Sequence, residues 1–583
     1  MVALVYPSEN NDISSIASEL AGELGRNGFA TVQDDDSAKY RVVLSLSNTV
    51  ADNTVKFTVA DNCITVEAKT ADAIGYGVDT FTQDCLFEGE LNLNSDYNSK
   101  TLKVPANTLG KLSLPAYTGS GTLGEPLYSA GYAATEGNES EKSEMHIVEG
   151  TTKTAFEAYV ATLVSDYGYT KDFSNTLDNN SFALLTDPVG QTYYMYYMQK
   201  IGETTGTARF ILDRSSNVTL AEFNTAKSDE NGTAAAEFYM FNANYTNEDT
   251  FLIRTKANTW IMIDGGMTDY GNAVYDPEGK FADSIYNFMR EKSGLEDGEK
   301  VVISAWYMTH AHRDHFLAFG SMIERNNDGI DLRRIIANVP DHSILHSSQT
   351  GNKTQYLACM ATVRKYYPNV EYLKAHTGME ITVAGVNFTV LLAQEDLVDF
   401  WVENHSNMDA WKSWSSAASS VKETYKLGYK MYDFNNSSLI SKIKVDDMTI
   451  LELGDGYRID QWMVPYYSIE TLRTDILKVA HHYNNHELSE TTSSFYYQFT
   501  NDGHACYVLV PNAEFHTATD ESGNIKFDST QKKAWYENLD TDQRFLLANY
   551  GKIYGFKKVN GSIVMTEYDA TYSYAGSVDK TAQ

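Results

Sequence analysis

Four side chains able to bind a metal ion fall within six residues: His310, His312, Asp314 and His315, in the run Thr309-His310-Ala311-His312-Arg313-Asp314-His315. In an extended segment, side chains two apart share a face, so His310 and His312 can point at one ion. Asp314 and His315 come where the chain turns and can reach a second ion beside it. Imidazole suits zinc and other borderline metals, and a carboxylate among imidazoles favours a catalytic over a purely structural site. Any one of the chain's 13 histidines, taken alone, reads as an ordinary surface or core residue. A cluster this dense does not.

The elements that must position this chemistry are apolar runs that end in it. Val301-Val302-Ile303-Ser304-Ala305-Trp306 reads as a buried strand leading into the histidines. Trp260-Ile261-Met262-Ile263-Asp264-Gly265-Gly266 ends a strand in a carboxylate and two glycines, which permit a tight turn and close backbone approach. Met448-Thr449-Ile450-Leu451-Glu452-Leu453-Gly454-Asp455-Gly456 places a second carboxylate between glycines. Asp475-Ile476-Leu477-Lys478-Val479-Ala480-His481-His482 closes a fourth strand with a histidine pair.

Four strand ends in this order resemble the metallo-β-lactamase superfamily, whose members share an αββα sandwich with one or two metal ions at a sheet edge. The resemblance runs from near Phe238 to Val564. It is greatest to the domain attached to competence-type DNA-uptake channels, through Asn435-Asn436-Ser437-Ser438-Leu439-Ile440, Gly454-Asp455 and Leu477-Lys478-Val479-Ala480-His481-His482. Ile553-Tyr554-Gly555-Phe556 and Gly561-Ser562-Ile563-Val564 resemble the final strands. The resemblance implies that His310 and His312 bind a first metal, that Asp314, His315 and His481 bind a second, and that Asp455 bridges both. It places Asp264 behind the ligands, hydrogen-bonded to the His-rich loop. His481 is preferred to His482 as ligand because it comes first off the strand, which leaves His482 as a supporting or substrate contact.

One departure bears on the metal count. Many members carry a further His for the first metal, and here that position falls on Asn435 or Asn436. An amide oxygen is a poor zinc ligand beside imidazole, so the first site is expected to be weaker or completed by water. One or two divalent ions are expected, zinc first, with manganese or iron as alternatives. His342, His346, His376 and His405 lie in the intervening segment, and His376, ahead of the strand at Glu380, reads as structural. The reaction implied is attack by a metal-bound hydroxide, with Asp314 orienting the water or carrying its proton. His516 falls at a family position near the substrate, where it would donate to the leaving oxygen or to a developing negative charge.

At 583 residues the chain exceeds one core. The expected class is α/β with mixed layers: an αββα sandwich over 234–583 preceded by two small α/β accessory domains, 1–112 and 113–233. In the first, strands Val2–Tyr6 and Tyr40–Leu46, helices Ile13–Leu24 and Thr70–Phe81, and a hairpin turning at Asp61-Asn62 are expected. That order, with the run Ala73–Phe81, resembles the non-catalytic α/β domain ahead of several glycoside hydrolase barrels. No barrel-length βα repeat follows, so it implies an accessory domain only. In the second, Leu114–Gly121 reads as a linker, Thr154–Tyr167 as a helix, and Asn180–Asp187, Gln191–Met198 and Thr207–Asp213 as strands. The run Tyr193–Tyr197 reads as packed sheet rather than as a sugar-stacking face. Cys63 and Cys85 are close enough in sequence to pair, while Cys359 and Cys506 read as buried thiols.

Lys and Arg number 46 against 78 Asp and Glu, a formal net charge of −32. Such a field repels polyanions, so no long nucleic acid is expected as a partner. A small-molecule or cell-wall-linked substrate is expected instead, with the accessory domains as candidate glycan contacts. No apolar run approaches the roughly 20 residues of a transmembrane helix. Acidity and an abundance of Tyr, Asn, Ser and Thr suggest a secreted or cell-surface bacterial protein read without its leader, with a cytoplasmic location as the alternative. The functional expectation is a metal-dependent hydrolase, phosphodiester bonds slightly favoured over lactone, amide or other ester bonds. The competing expectation is an extracellular glycan- or partner-binding protein with a degenerate metal site.

Overall fold

The computed structural model describes residues 1–87, 90–93, 97–110, 112–124, 127–129, 143–241, 249–270, 273–274, 278–339, 350–393, 434–456, 459, 463–483, 507–511, 544–547 and 552–569. The chain divides into two compact units, Met1–Ser215 and Ser216–Gln583.

The first unit holds two sheets. Four parallel strands (Thr31–Gln33, Val2–Val5, Tyr40–Leu46 and Cys63–Ala68, in that spatial order) continue into antiparallel Thr54–Ala60 and Thr101–Lys103. Helices Asn11–Arg26 and Ala71–Cys85 accompany them, capped at their N-termini by the side chains of Asn10 and Thr70. All five elements expected from periodicity are present. Cys63 and Cys85 do not pair; both are free thiols. Ile64, Val66 and Ala68 face the core, so the period-two alternation of the strand turns Cys63 to the opposite face.

The second sheet is antiparallel, in the order Thr122–Leu123, Ser143–Thr151, Gly206–Leu212, Thr192–Met198, Asn180–Thr186, Thr170–Leu177. Helix Lys153–Tyr167 lays Phe156, Tyr159 and Leu163 into one core with Tyr193, Met195, Tyr197 and Phe210. Tyr194 and Tyr196, on the other face, are also fully buried, so this run offers no open stacking face. Leu112–Pro115 is a buried strand where a linker was expected to begin. Proline and glycine punctuation there outweighs two leucines in the sequence pattern, but the leucines decide the packing.

The second unit is built on two mixed sheets. The first runs Glu371–Lys374, Arg334–Ala337, Val301–Tyr307, Trp260–Asp264, Thr250–Arg254, Glu237–Met240, Lys552–Val559, Ser562–Asp569, with Ile330–Leu332 also on Val301–Tyr307. The second runs Glu380–Val383, Val386–Leu392, Ile440–Val445, Met448–Glu452, Ile476–Lys478, Tyr507–Val510, Arg544–Leu547. The two sheets face each other. Tyr307 stacks on Phe388 at 5.1 Å between ring centroids, its hydroxyl hydrogen-bonds Ser441 at 2.7 Å, and Tyr507 meets Phe556 edge-on at 5.1 Å. Helices cover the other face of the first sheet, where Phe288 of Lys280–Ser293 meets Tyr239 and Phe319 of Leu317–Asn326 stacks on Trp306 at 3.8 Å. This is the α/β class and the sheet-on-sheet layering expected for the C-terminal region.

Strands Trp260–Asp264 and Val301–Tyr307 are parallel in one sheet, and Met448–Glu452 and Ile476–Lys478 are parallel in the other. Each is fully or almost fully buried. That explains why they read as continuous apolar runs rather than alternating ones. Their carboxyl ends carry the residues singled out above.

Candidate metal centre

Each inner imidazole of the cluster is oriented by what its Nδ1 meets. His315 Nδ1 is 2.7 Å from Asp264 Oδ2. The Thr309 hydroxyl donates to the same carboxylate at 2.7 Å, so its oxygen is left to accept from His310 Nδ1 at 3.1 Å. His482 Nδ1 lies 3.3 Å from Asp249 Oδ1 and 3.3 Å from the Pro511 carbonyl oxygen. These partners face the three Nδ1 atoms and turn the three Nε2 atoms inward.

The inward atoms converge on one oxygen. Asp455 Oδ2 is 3.2 Å from His315 Nε2, 3.3 Å from His482 Nε2 and 3.9 Å from His310 Nε2. Asp314 Oδ2 stands 3.1 Å from His482 Nε2 and 3.9 Å from His315 Nε2. Ligand atoms of Asp314, His315, Asp455 and His482 can all lie within 4.8 Å of one another, and so can those of His310, His312 and Asp455. Asp455 is common to both groups. His310 Nε2 is buried with no hydrogen-bond partner, the state expected of a lone pair kept for an ion. Imidazole and carboxylate donors in these numbers fit one or two borderline divalent ions.

His481 belongs to neither group, and His482 takes the place expected of it. The reason is local: both residues adopt left-handed backbone conformations, φ 47° and 51°, which curl the chain back after the strand. Asp264 is left-handed too, φ 55°. Non-glycine residues held there cost free energy and gather at functional sites. His312 is half-buried, edge-on to His310 at 5.0 Å and to Phe434 at 5.8 Å. Asn435 is buried, while the Asn436 side chain and the whole of His516, His342, His346 and His405 lie outside the described residues. His376 is fully buried, its amide against Met379 Sδ at 3.5 Å, and belongs to neither group.

Glycines allow the turns to close. A Cβ on Gly265 would sit 2.4 Å from Phe319 Cβ, and Gly454, φ 51°, packs against Ser438 and Thr309. The Ser438 hydroxyl accepts from the Asp455 amide at 3.0 Å.

Opposed charges govern the protons here. Burial works against a charged His315, but Asp455, Asp264 and Asp314 hold its pKa well above the ordinary imidazole value. His482 behaves alike: burial opposes, and Asp455 and Asp249 prevail. Burial would raise Asp455, yet His482 and His315 hold it well below the usual carboxylate range. Burial and the neighbouring His315 depress His310, which therefore stays neutral.

Three residues of this centre carried no role in the sequence pattern. Asp249 directly precedes Thr250, which pairs with Asp264 across the sheet, and it backs His482. Lys478 and Glu452 are fully buried and adjoin it. The ammonium contacts Asp249 Oδ2, donates to the Gly454 carbonyl oxygen at 2.6 Å, and lies 3.5 Å from Asp455 Oδ1 and 3.7 Å from Glu452 Oε1. Burial pushes Glu452 up to about 8 despite the ammonium, so Asp249 is the principal counter-ion at neutral pH. The signal for Lys478 lay in the motif that ends in the histidine pair; that for Asp249 appears only once strands are paired.

No protein-family model matches the chain, and no curated protein does. Solved structures are similar to it at low identity. A flavo di-iron protein mutant from Thermotoga maritima shows 14% identity over 25% of this chain and 27% of its own, with a TM-score of 0.15. The chain thus spans about a quarter of that protein's length. A mutant of the CmlA β-hydroxylase shows 9% identity over 70% of this chain and 78% of its own, TM-score 0.28. The short form of human tRNase Z shows 10% identity over 54% of this chain and 98% of its own, TM-score 0.26.

Proposed function

We propose that the second unit is a metal-dependent hydrolase of the metallo-β-lactamase superfamily. One observation carries this reading: three Nε2 atoms gather around Asp455 Oδ2 at three strand ends, with the Asp314 carboxylate beside His482 Nε2. His310, His312 and Asp455 would hold one ion, and Asp314, His315, Asp455 and His482 another. Divalent ions there would lower the pKa of a water towards neutrality and stabilise negative charge developing on a substrate.

The chain's own groups do the rest. Asp264 and Asp249 hold His315 and His482 with Nε2 presented inward. Asp314, its side chain 18% exposed where the other carboxylates of the cluster are buried, can orient the attacking water or accept its proton. Phosphodiester bonds remain slightly favoured through the Asn-Asn-x-Ser and His-His resemblance. The net charge of −32 favours small or cell-wall-linked substrates over long nucleic acid.

The test uses the full chain: transition-metal content after purification, then turnover of a bis(aryl) phosphate beside lactone and carboxylic ester substrates. Bound zinc, or manganese or iron, is expected, and Asp455→Ala should lower turnover by at least 100-fold with loss of metal. A protein that binds no transition metal, or an Asp455→Ala variant that hydrolyses as before, sinks the proposal and leaves the binding-protein reading.

A further inference from the structure

We propose that Lys478 is a positioning residue of the metal centre. Its ammonium sets a positive charge 3.5 Å from Asp455 Oδ1, which favours presenting Oδ2 to the imidazoles, and fixes Asp249 behind His482. The inference rests on reading the cluster as a metal centre.

An ammonium with no solvent exposure is costly to bury, and a methionine would fill the same space without that cost. Packing alone therefore does not account for Lys478. Its contacts do. The side chain rises from the last residue of the Ile476–Lys478 strand, parallel to Met448–Glu452, and reaches the turn that follows that neighbour. It donates to the Gly454 carbonyl oxygen at 2.6 Å, and the same oxygen accepts the His481 amide at 3.1 Å. One cation thus ties the turn carrying Asp455 to the turn carrying the histidine pair.

The two oxygens of Asp455 are divided by this arrangement. Oδ1 lies 3.5 Å from the ammonium, while Oδ2 is the oxygen on which His310, His315 and His482 converge. A carboxylate free to rotate would offer either oxygen to either group; the nearby positive charge favours keeping Oδ1 towards the ammonium. Asp249 is tied by Oδ2 to Lys478 and meets His482 Nδ1 with Oδ1 at 3.3 Å. Both the shared carboxylate and the partner behind His482 are therefore set by one side chain. It also supplies the positive charge beside Asp249, Asp264 and His315, a third group close enough to hold an ion.

The experiment loads the full chain with cobalt(II) and reads its visible ligand-field absorption and its affinity by chelator competition. Lys478→Met should change the band envelope and weaken cobalt binding about tenfold or more, the range typical for partners behind metal ligands. If Lys478 merely supports the fold, Lys478→Met lowers the melting temperature of the metal-free protein but leaves spectrum and affinity unchanged, and the proposal is overturned. Should Lys478→Met be recovered unfolded, Lys478→Gln carries the same measurement. It keeps a polar group of similar length at the buried position and removes the positive charge. A shifted band with weaker binding supports the proposal; an unchanged one overturns it. Failure of the unsubstituted protein to bind cobalt overturns the metal-centre reading itself, and this inference with it.

Discussion

Asp264 shows how much one residue can fix. Its Oδ1 accepts from the Thr309 amide at 2.8 Å, its Oδ2 meets the Thr309 hydroxyl and His315 Nδ1, and its backbone oxygen accepts from Trp306 Nε1 at 3.2 Å. Asp264→Asn would face His315 with an amide in place of one carboxylate oxygen. Metal affinity is expected to fall about 10- to 100-fold with little change in fold. Metal titration beside thermal denaturation checks this, and unaltered affinity would remove Asp264 from the centre. Residues of this kind were legible because acids and histidines at the ends of apolar runs are rare. Asp249 was not, since a single acid before a strand is commonplace until its neighbour across the sheet is known. That the structure groups His482 rather than His481 with Asp455 was not legible, for a different reason. Strand periodicity predicts which side chain comes first, but two successive left-handed residues lie beyond what periodicity describes.

Among elements, the four site-bearing strands were the most legible, because burial on both faces writes an unbroken apolar run. The segment after Ser216 was not legible at all. It begins with a capping box at Thr219 and Glu222, then fastens to the edge of the first sheet of its unit by charges. Arg334, fully buried, pairs with the buried Glu230, meets Glu371 at 3.2 Å, and donates to the Thr225 carbonyl oxygen at 3.0 Å. Charged residues in a polar stretch look like solvated loop, and only the partner 104 residues away reveals a clasp. Glu230→Gln is expected to destabilise the second unit by about 3 kcal/mol, because it leaves a buried guanidinium short of charge. Asp229→Asn removes a partner of Arg333 that is 53% exposed and should cost under about 1 kcal/mol. Comparable losses from the two in thermal denaturation would refute the burial argument.

At the scale of the whole molecule, the α/β class was legible from the pattern of apolar runs, while the join inside the first unit was invisible. Gln191, at the second sheet, donates to the carbonyl oxygen of Thr80 in helix Ala71–Cys85 at 2.7 Å and to the hydroxyl of Tyr97, in the core of the first sheet, at 3.3 Å. Asp187 holds that turn: its Oδ1 accepts the amides of Val189 and Gln191, each at 2.9 Å. Burial pushes this carboxyl up to about 7, with the backbone amides pulling the other way. The folded state therefore binds the proton more tightly than the unfolded chain. Stability of the first unit from this group is fully present below about pH 4, falls as pH rises, and levels above about pH 7. At about 1.4 kcal/mol per pKa unit the loss is about 4 kcal/mol. Asp187→Asn keeps both amide bonds through its own oxygen and should flatten that profile in denaturant titrations at pH 4 and pH 7.5. A slope matching the parent's would show that another group is responsible.

The strand ends that gather around Asp455 are far apart along the chain, from Asp249 to His482, and belong to two sheets. Contacts of such sequence separation form late, since long loops must close before they repay their entropy. During synthesis, the histidines from 310 to 315 emerge well before the acid and the imidazole that complete their groups. A nascent chain therefore offers an ion only a weak, partial set of donors. Capture becomes tight only once both sheets are assembled, so a tightly held ion would certify that the second unit has finished folding.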